Sequence, residues 1–525
     1  MISKGEINKM KRKISIILIS IIIVLSLLIG CSKEKNLKET LTSADNSAKI
    51  AVVADTQSPT NLDIAESWNS WYTSRWGITE TLFKLDNNLE PQPLLVENYE
   101  MLDSYTWSIR LRDDVVFQNG NKLTGESVKL CWERTQEINA RFNELLHIDN
   151  IEVDGQVLII KTSKIVPTFK NALCEPLTGI IDVTTLDDPA ILPIGTGPFK
   201  VVSYEPKSKA VVEKHSAYWG GEPKLDGAVI NIIGDTNTLA LAQQNGESHI
   251  SVSMPSTSLE LFSDTSLYNI DGVPGSRGQV IFINFENKFL KEKALRKALS
   301  MLIDKESYAN VINKGASVPA TGLYPDFMEV GASEGYKYDM DAAAAVLDKA
   351  GIKDTDGDGI REINGQNISL RLITYNTKAE LPNLCNGIAS AAKTLGIDID
   401  VEIYESVSEQ QKTKDFDLMM VSFTMVPTGD PQYFANIAFK TGGSSNYGGY
   451  SNMEVDNLIN DLDEEFDNEN RIKLAKEIQK LIIDDAAYIV VGHSKYFYIM
   501  TSQLKGLHTN PSEYYLLDAK VYLED

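Results

Sequence analysis

The chain has 525 residues and a formal net charge of −23, from 50 Lys and Arg against 73 Asp and Glu. So acidic a surface argues against nucleic acid as a partner, because phosphates demand a basic face. The length allows two or three domains with substantial cores.

The N-terminus opens with Lys9, Lys11, Arg12 and Lys13, then an apolar run from Ile14 to Gly30 whose only polar members are serines. The run is just short of the roughly 18–20 residues that span a bilayer, and it ends in Leu28-Ile29-Gly30-Cys31. Small residues ahead of a cysteine make a cleavable end. The stretch resembles the lipobox of a bacterial lipoprotein, which implies a signal peptide over 1–30 and a lipid on Cys31. The mature chain would sit on the extracytoplasmic face of the cell membrane, held by acyl chains such as palmitate. The competing reading is an uncleaved membrane anchor. Residues 31–48 are polar and lack aromatics, as a flexible tether does.

Ile50 to Ala54 reads as a short buried strand. All six tryptophans precede residue 220, and Trp68, Trp71 and Trp76 cluster with Tyr72 and Arg75. Such density marks either an aromatic core or a ligand surface. Trp107 to Arg112 alternates like a strand, and Gln118-Asn119-Gly120-Asn121 is a turn signal. Leu295 to Leu302 and Met340 to Ala350 carry helical spacing, with Asp339 as cap and Gly351 as stop for the second. Asp354, Asp356 and Asp358 match the opening of an EF-hand calcium loop, but Gly365 holds the twelfth place where the closing glutamate belongs. The plainer reading is an acidic surface turn. Arg471 to Ile483 is again helical in spacing. The mixture predicts an α/β or α+β chain with more than one lobe.

Beyond Cys31 the cysteines are Cys131, Cys174 and Cys385, an odd number and far apart, which predicts buried thiols rather than a disulfide framework. The chain has no H-E-x-x-H, G-x-S-x-G or P-loop, and none of its five histidines has a neighbour at metal-site spacing. An enzyme, such as an extracytoplasmic hydrolase, is therefore the weaker expectation, and no catalytic cofactor is expected.

Five motifs recur in one order: Trp107-x3-Leu111-Arg112-Asp113-Asp114-Val115-x-Phe117 through Ser127-Val128; Pro193 through Phe199; Tyr218-Trp219-Gly220-Gly221-Glu222-Pro223; Asn284 with Ala294 to Leu299 and Ile303-Asp304-Lys305; and Tyr450-Ser451-Asn452 with Val455-Asp456. Together they resemble the extracellular solute-binding proteins of peptide and nickel ABC importers. The resemblance implies an α/β, two-lobed clamp like the class II periplasmic binding proteins, with an extra subdomain. Lobe I would comprise 49–90, 195–283 and 488–525, the subdomain 91–194, and lobe II 284–487. Hinge strands would lie near Ile281–Phe285 and Ile489–Gly492. The partners implied are an ABC permease and a small solute bound between the lobes of a monomer.

Peptide-binding members carry an aspartate three residues before an Asp-Pro step. Here the step is Asp430-Pro431 and that position is Pro427, which cannot hold an ammonium. Pro427-Thr428-Gly429-Asp430-Pro431, Arg75 through Phe83, Asn446-Tyr447-Gly448-Gly449-Tyr450 and Asn510 through Tyr515 resemble the nickel-type subgroup. That resemblance implies a nickel or related transition-metal chelate as cargo, with an oligopeptide as the alternative. A chelate presents carboxylates, which arginine binds bidentately between aromatic walls. Arg277 and then Arg75 are the candidate cations, each with a structural salt bridge as the competing role. Trp71, Tyr72, Trp76, Thr428, Asn446, Tyr447 and Tyr514 are the candidate walls. His493 and His508 are candidate nickel ligands, since imidazole suits Ni(II).

Overall fold

A computed structural model of the protein describes residues 48–185, 192–331, 333–378 and 380–524. The leader, Cys31 and nearly all of the expected tether lie outside the described residues. Among the described residues no helix is long and apolar enough to cross a membrane.

Local signals translate directly. The strand expected at Ile50 runs Ile50–Asp55, and the alternating stretch forms the strand Thr106–Leu111. The helix expected at Met340 spans Met340–Lys349; Asp339 caps it by accepting from the Ala342 amide at 2.8 Å, and Gly351 ends it at φ 77°. Left-handed φ is where glycine costs least. The other two expected helices form as Lys293–Met301 and Asn468–Asp484.

One eleven-stranded sheet organises the molecule. Its order is 398–404, 369–375, 418–424, 268–283, 488–501, 250–251, 50–55, 227–232, 209–214 and 199–205, with the strand Ser317–Pro319 pairing with 488–501 outside this path. A separate four-stranded antiparallel sheet, order 96–103, 106–111, 157–162, 148–154, falls between residues 91 and 194. Trp107 stacks on Phe169 beneath it, ring centroids 5.4 Å apart.

The strands Tyr268–Ile283 and Tyr488–Thr501 are the longest, at 16 and 14 residues, and pair antiparallel with each other. One end of the pair, with Ile281, Ile283, Ile489 and Val491, buries into the core of the 284–487 stretch. The other end, with Tyr498 and Met500, buries against Ala51, Val53 and Ile250. The pair is thus shared by these two cores, and Val280, Phe282, Tyr488 and Val490 turn from it into a third. Its register breaks between Pro274 and Gly278 and again between Gln279 and Val280, so the ladder is interrupted between them, just before the expected hinge at Ile281. At Gly275 a Cβ would lie 2.0 Å from the Tyr496 ring, so a side chain there would push the two strands apart.

Cys131, Cys174 and Cys385 are buried free thiols, as expected. Burial pushes Cys131 up to about 11 and Cys385 up to about 12, which keeps both protonated.

Candidate functional site

The two candidate arginines come from distant parts of the chain. Arg75 ends the short helix Asn69–Arg75, and Arg277 lies in the register break of the 268–283 strand. Both meet Glu513, held at φ 66° in the C-terminal segment. Arg277 Nε lies 3.2 Å from Glu513 Oε1, and Arg75 Nη2 lies 3.5 Å from Oε2. Arg75 Nε also donates to the Glu513 carbonyl at 3.0 Å, and its Nη1 stands 3.8 Å from Asp55 Oδ2.

Two cations therefore face two carboxylates in a largely buried cluster. Burial alone would raise the Glu513 carboxyl, but Arg277 and then Arg75 outweigh it and hold it below the usual range. For Asp55 burial wins over Arg75, and its carboxyl is raised. Both arginines have the salt-bridge role that competed with ligand binding in the sequence.

A third arginine lies within electrostatic reach of Tyr514, the residue after Glu513. Arg141 occupies the first turn of the helix Ala140–Leu146, which Asn139 caps by accepting from the Arg141 amide at 3.1 Å. Its guanidinium carbon sits 3.6 Å from the centre of the Trp68 ring, and Trp68 keeps 46% of its surface exposed. Arg141 Nη2 donates to Glu175 Oε1 at 2.8 Å. Trp71 Nε1 donates to the same oxygen at 2.8 Å. The other Glu175 oxygen accepts from the Leu177 amide at 2.6 Å. Glu175 is thereby fully engaged, while Arg141 Nη1 is buried and has no hydrogen-bond partner. A buried donor left unmade is costly.

Tyr514 packs on Trp71 at 5.0 Å and donates to the Pro427 carbonyl at 2.8 Å. Tyr433 approaches from the same stretch as Pro427: burial raises its phenol, and the Arg141 charge partly offsets that. The centre thus assembles from residues 68–71, 141, 175, 433 and 514. Of these, the sequence had singled out Trp71 and Tyr514 and not Arg141 or Glu175. Asn139-Ala140-Arg141 carries only a helix-start signal, and nothing local marks its salt bridge.

The remaining candidates fall elsewhere. Trp76 is completely buried among Leu62, Phe199 and Leu225. Tyr72 is half-buried beneath the Arg75 guanidinium, 5.7 Å from its carbon. Thr428 is buried, and its carbonyl accepts from Asn171 Nδ2 at 3.0 Å. The Asn446 amide ties its own loop, donating to the Lys440 and Tyr450 carbonyls. Tyr447 packs on Phe282 at 5.0 Å. His508 is exposed. His493 is wholly buried, neither ring nitrogen is hydrogen-bonded, and burial with the nearby Lys305 charge pushes its pKa down to about 3.

In the acidic loop, the ligand atoms that gather within 4.8 Å are those of Asp354, Asp356 and Glu362. Asp358 instead accepts from the Ile360 amide and from Asn367. Asp354 accepts from the Gly357 and Gly359 amides, so its oxygens already brace the turn.

A two-lobed α/β clamp, with a strand pair shared between its cores and an arginine–aromatic centre beside it, is the architecture of an extracytoplasmic solute receptor. The model for bacterial extracellular solute-binding proteins, family 5 (middle), matches residues 90–446, and the chain belongs to that family. It is 28% identical to the nickel-binding protein NikA of Staphylococcus aureus over 85% of this chain and 89% of that one. The crystal structure of that protein with Ni(L-His)2 matches 91% of this chain and 100% of its own, with TM-score 0.77 and 27% identity. A nickel ABC transporter structure from Bacillus halodurans matches 90% of this chain and 100% of its own, with TM-score 0.79 and 28% identity. The dipeptide-binding protein DppE of Bacillus subtilis is 25% identical over 93% of this chain and 95% of that one.

Proposed function

We propose that this protein captures a nickel chelate and delivers it to the permease of an ABC importer. In this reading it works as a monomer tethered to the membrane through a lipid on Cys31. The observation that carries the chelate reading is Arg141. Its guanidinium is oriented by Trp68 and Glu175, and its buried Nη1 has no partner. A chelator carboxylate supplies the missing acceptor, and the Trp68 face covers the ligand's apolar side. Arg277 and Arg75 are the second cationic contact, reached once Glu513 yields one of its oxygens. The relatives that bind nickel, or nickel with histidine, support the same cargo.

A peptide is the second reading, favoured by the match to DppE. Against it stand two features of the Pro427–Pro431 loop. The Pro427 carbonyl is taken by Tyr514, and Asp430 is spent on the Gln432 amide and on Arg471, both through Oδ1. Pro427 has no carboxylate to offer a peptide ammonium, and the Asp430 carboxylate is already paired with Arg471.

Calorimetry separates the readings. Nickel with histidine is expected to bind at micromolar Kd or tighter, and bare nickel or di- to pentapeptides far more weakly. Tight peptide binding without a chelate response would overturn the nickel reading.

A further inference from the structure

A cavity of about 320 Å³ opens in the 284–487 stretch. Its place follows from topology. The strand Ser369–Tyr375 pairs parallel with Asp398–Tyr404 on one side and with Leu418–Thr424 on the other. The chain leaves 369–375 through the helix Glu380–Thr394, enters 398–404, and returns across 369–375 to 418–424. That helix packs Leu381, Leu384 and Ile388 into the core of the 284–487 stretch, whereas Val407, in the return connection, packs into a different core with Val280, Phe282, Val421 and Tyr488. The two connections therefore run on opposite faces, and the strand order reverses between 369–375 and 418–424. In open α/β sheets such a switch point is where ligands bind.

The lining bears this out chemically. Tyr375 ends one strand, Glu405, Ser406 and Ser408 follow the next, and Phe423 belongs to the third. Glu405 is the one charged group among the ten lining residues, and it is exposed. Hydroxyls and amides make up most of the rest, so the cavity is polar and has a single counter-charge of negative sign. It also adjoins the arginine cluster. Phe423 precedes Thr424, the residue paired with Arg277, and the Arg277 charge acts on the Tyr375 phenol.

We propose that this cavity is a ligand subsite that receives a basic, N–H-bearing group of the captured solute, an amine or an imidazole, with Glu405 accepting its hydrogen bond. The proposal rests on the solute-capture reading above: the carboxylates of the solute take the arginines, and its nitrogen end takes Glu405. A histidine chelate suits this arrangement, because the imidazole nitrogen remote from the metal keeps its hydrogen.

The test is a two-by-two calorimetric comparison. Wild type and Glu405→Ala are each titrated with nickel–histidine and with nickel and a histidine methylated on that remote nitrogen. An exposed charged hydrogen bond predicts that wild type prefers the unmethylated chelate by about two- to fivefold, and that Glu405→Ala loses the preference. No preference in wild type, or one that survives in Glu405→Ala, overturns the subsite. If wild type ignores both chelates but binds a short peptide, the nickel reading fails on its own. The subsite is then read from lysine- and norleucine-bearing versions of that peptide. A lysine preference lost in Glu405→Ala supports it, and an unchanged or absent preference overturns it.

Discussion

Arg277 and Glu513, 236 residues apart in the chain, meet with Nε 3.2 Å from Oε1. The same carboxylate reaches Arg75, so one acidic residue from the C-terminal segment holds two cations beside the strand pair that the cores share.

Removing that carboxylate leaves two guanidiniums largely buried and short of a partner. Glu513→Gln is expected to cost on the order of 2 kcal/mol in denaturant unfolding at pH 7. The folded Glu513 carboxyl lies below its usual value. Its contribution is therefore present above the unfolded value, about 4.3, and is lost as pH falls through the folded one. The gap between wild type and Glu513→Gln is expected to narrow from pH 5 to pH 3. A constant gap would show that the charge of Glu513 does not matter.

Arg141 is expected to control affinity. Arg141→Ala should weaken nickel–histidine binding by roughly 10- to 100-fold, the scale of a charge-assisted hydrogen bond. Arg141→Lys keeps a charge beside Glu175 but loses the planar fork over Trp68, so it should recover only part of the affinity. Titration calorimetry measures both, with thermal melts to show that the variants fold. Wild-type affinity in Arg141→Ala would remove this residue from the site.

His493 predicts an acid-sensitive slope. Its folded pKa is pushed down to about 3, first by burial and then by Lys305. An unfolded histidine takes a proton near pH 6.5, whereas this one resists until about 3. Stability is therefore lost as pH falls across that window, by at most about 1.4 kcal/mol per pH unit from this group. His493→Gln should show a flatter profile between pH 6 and pH 4, whatever its stability at neutral pH. Equal slopes would mean that the imidazole is hydrated in the folded state.

Lipid attachment is tested at one atom. Labelled palmitate is expected to enter the wild-type protein and not Cys31→Ala. Equal labelling of both would end the lipoprotein reading.

Much of the local structure was legible because its causes are local. Asp339 and Gly351 bound a helix through contacts within a few residues, and the alternation over Trp107 to Leu111 made a strand. The ordered motifs pointed to the family before any coordinates. Pro427 spoke against a peptide ammonium site from its side chain alone.

The site was legible only in part. Arg277, Arg75 and Tyr514 were singled out by motif context, but their pairing with Glu513, Asp55 and the Pro427 carbonyl was not. Arg141, embedded in an ordinary helix start, gave no signal at all.

The sequence by itself determined the apolar run that precedes Cys31, the acidic surface, the elements with local caps and periodicity, and the family. The tertiary structure alone decided which charges meet. Glu513 bridges Arg75 and Arg277 across 438 and 236 residues, and Arg141 finds Glu175 across 34. Capping and periodicity act over a turn or two of chain, whereas an ion pair depends on distance through space, which exists only once the sheet has brought the strands together.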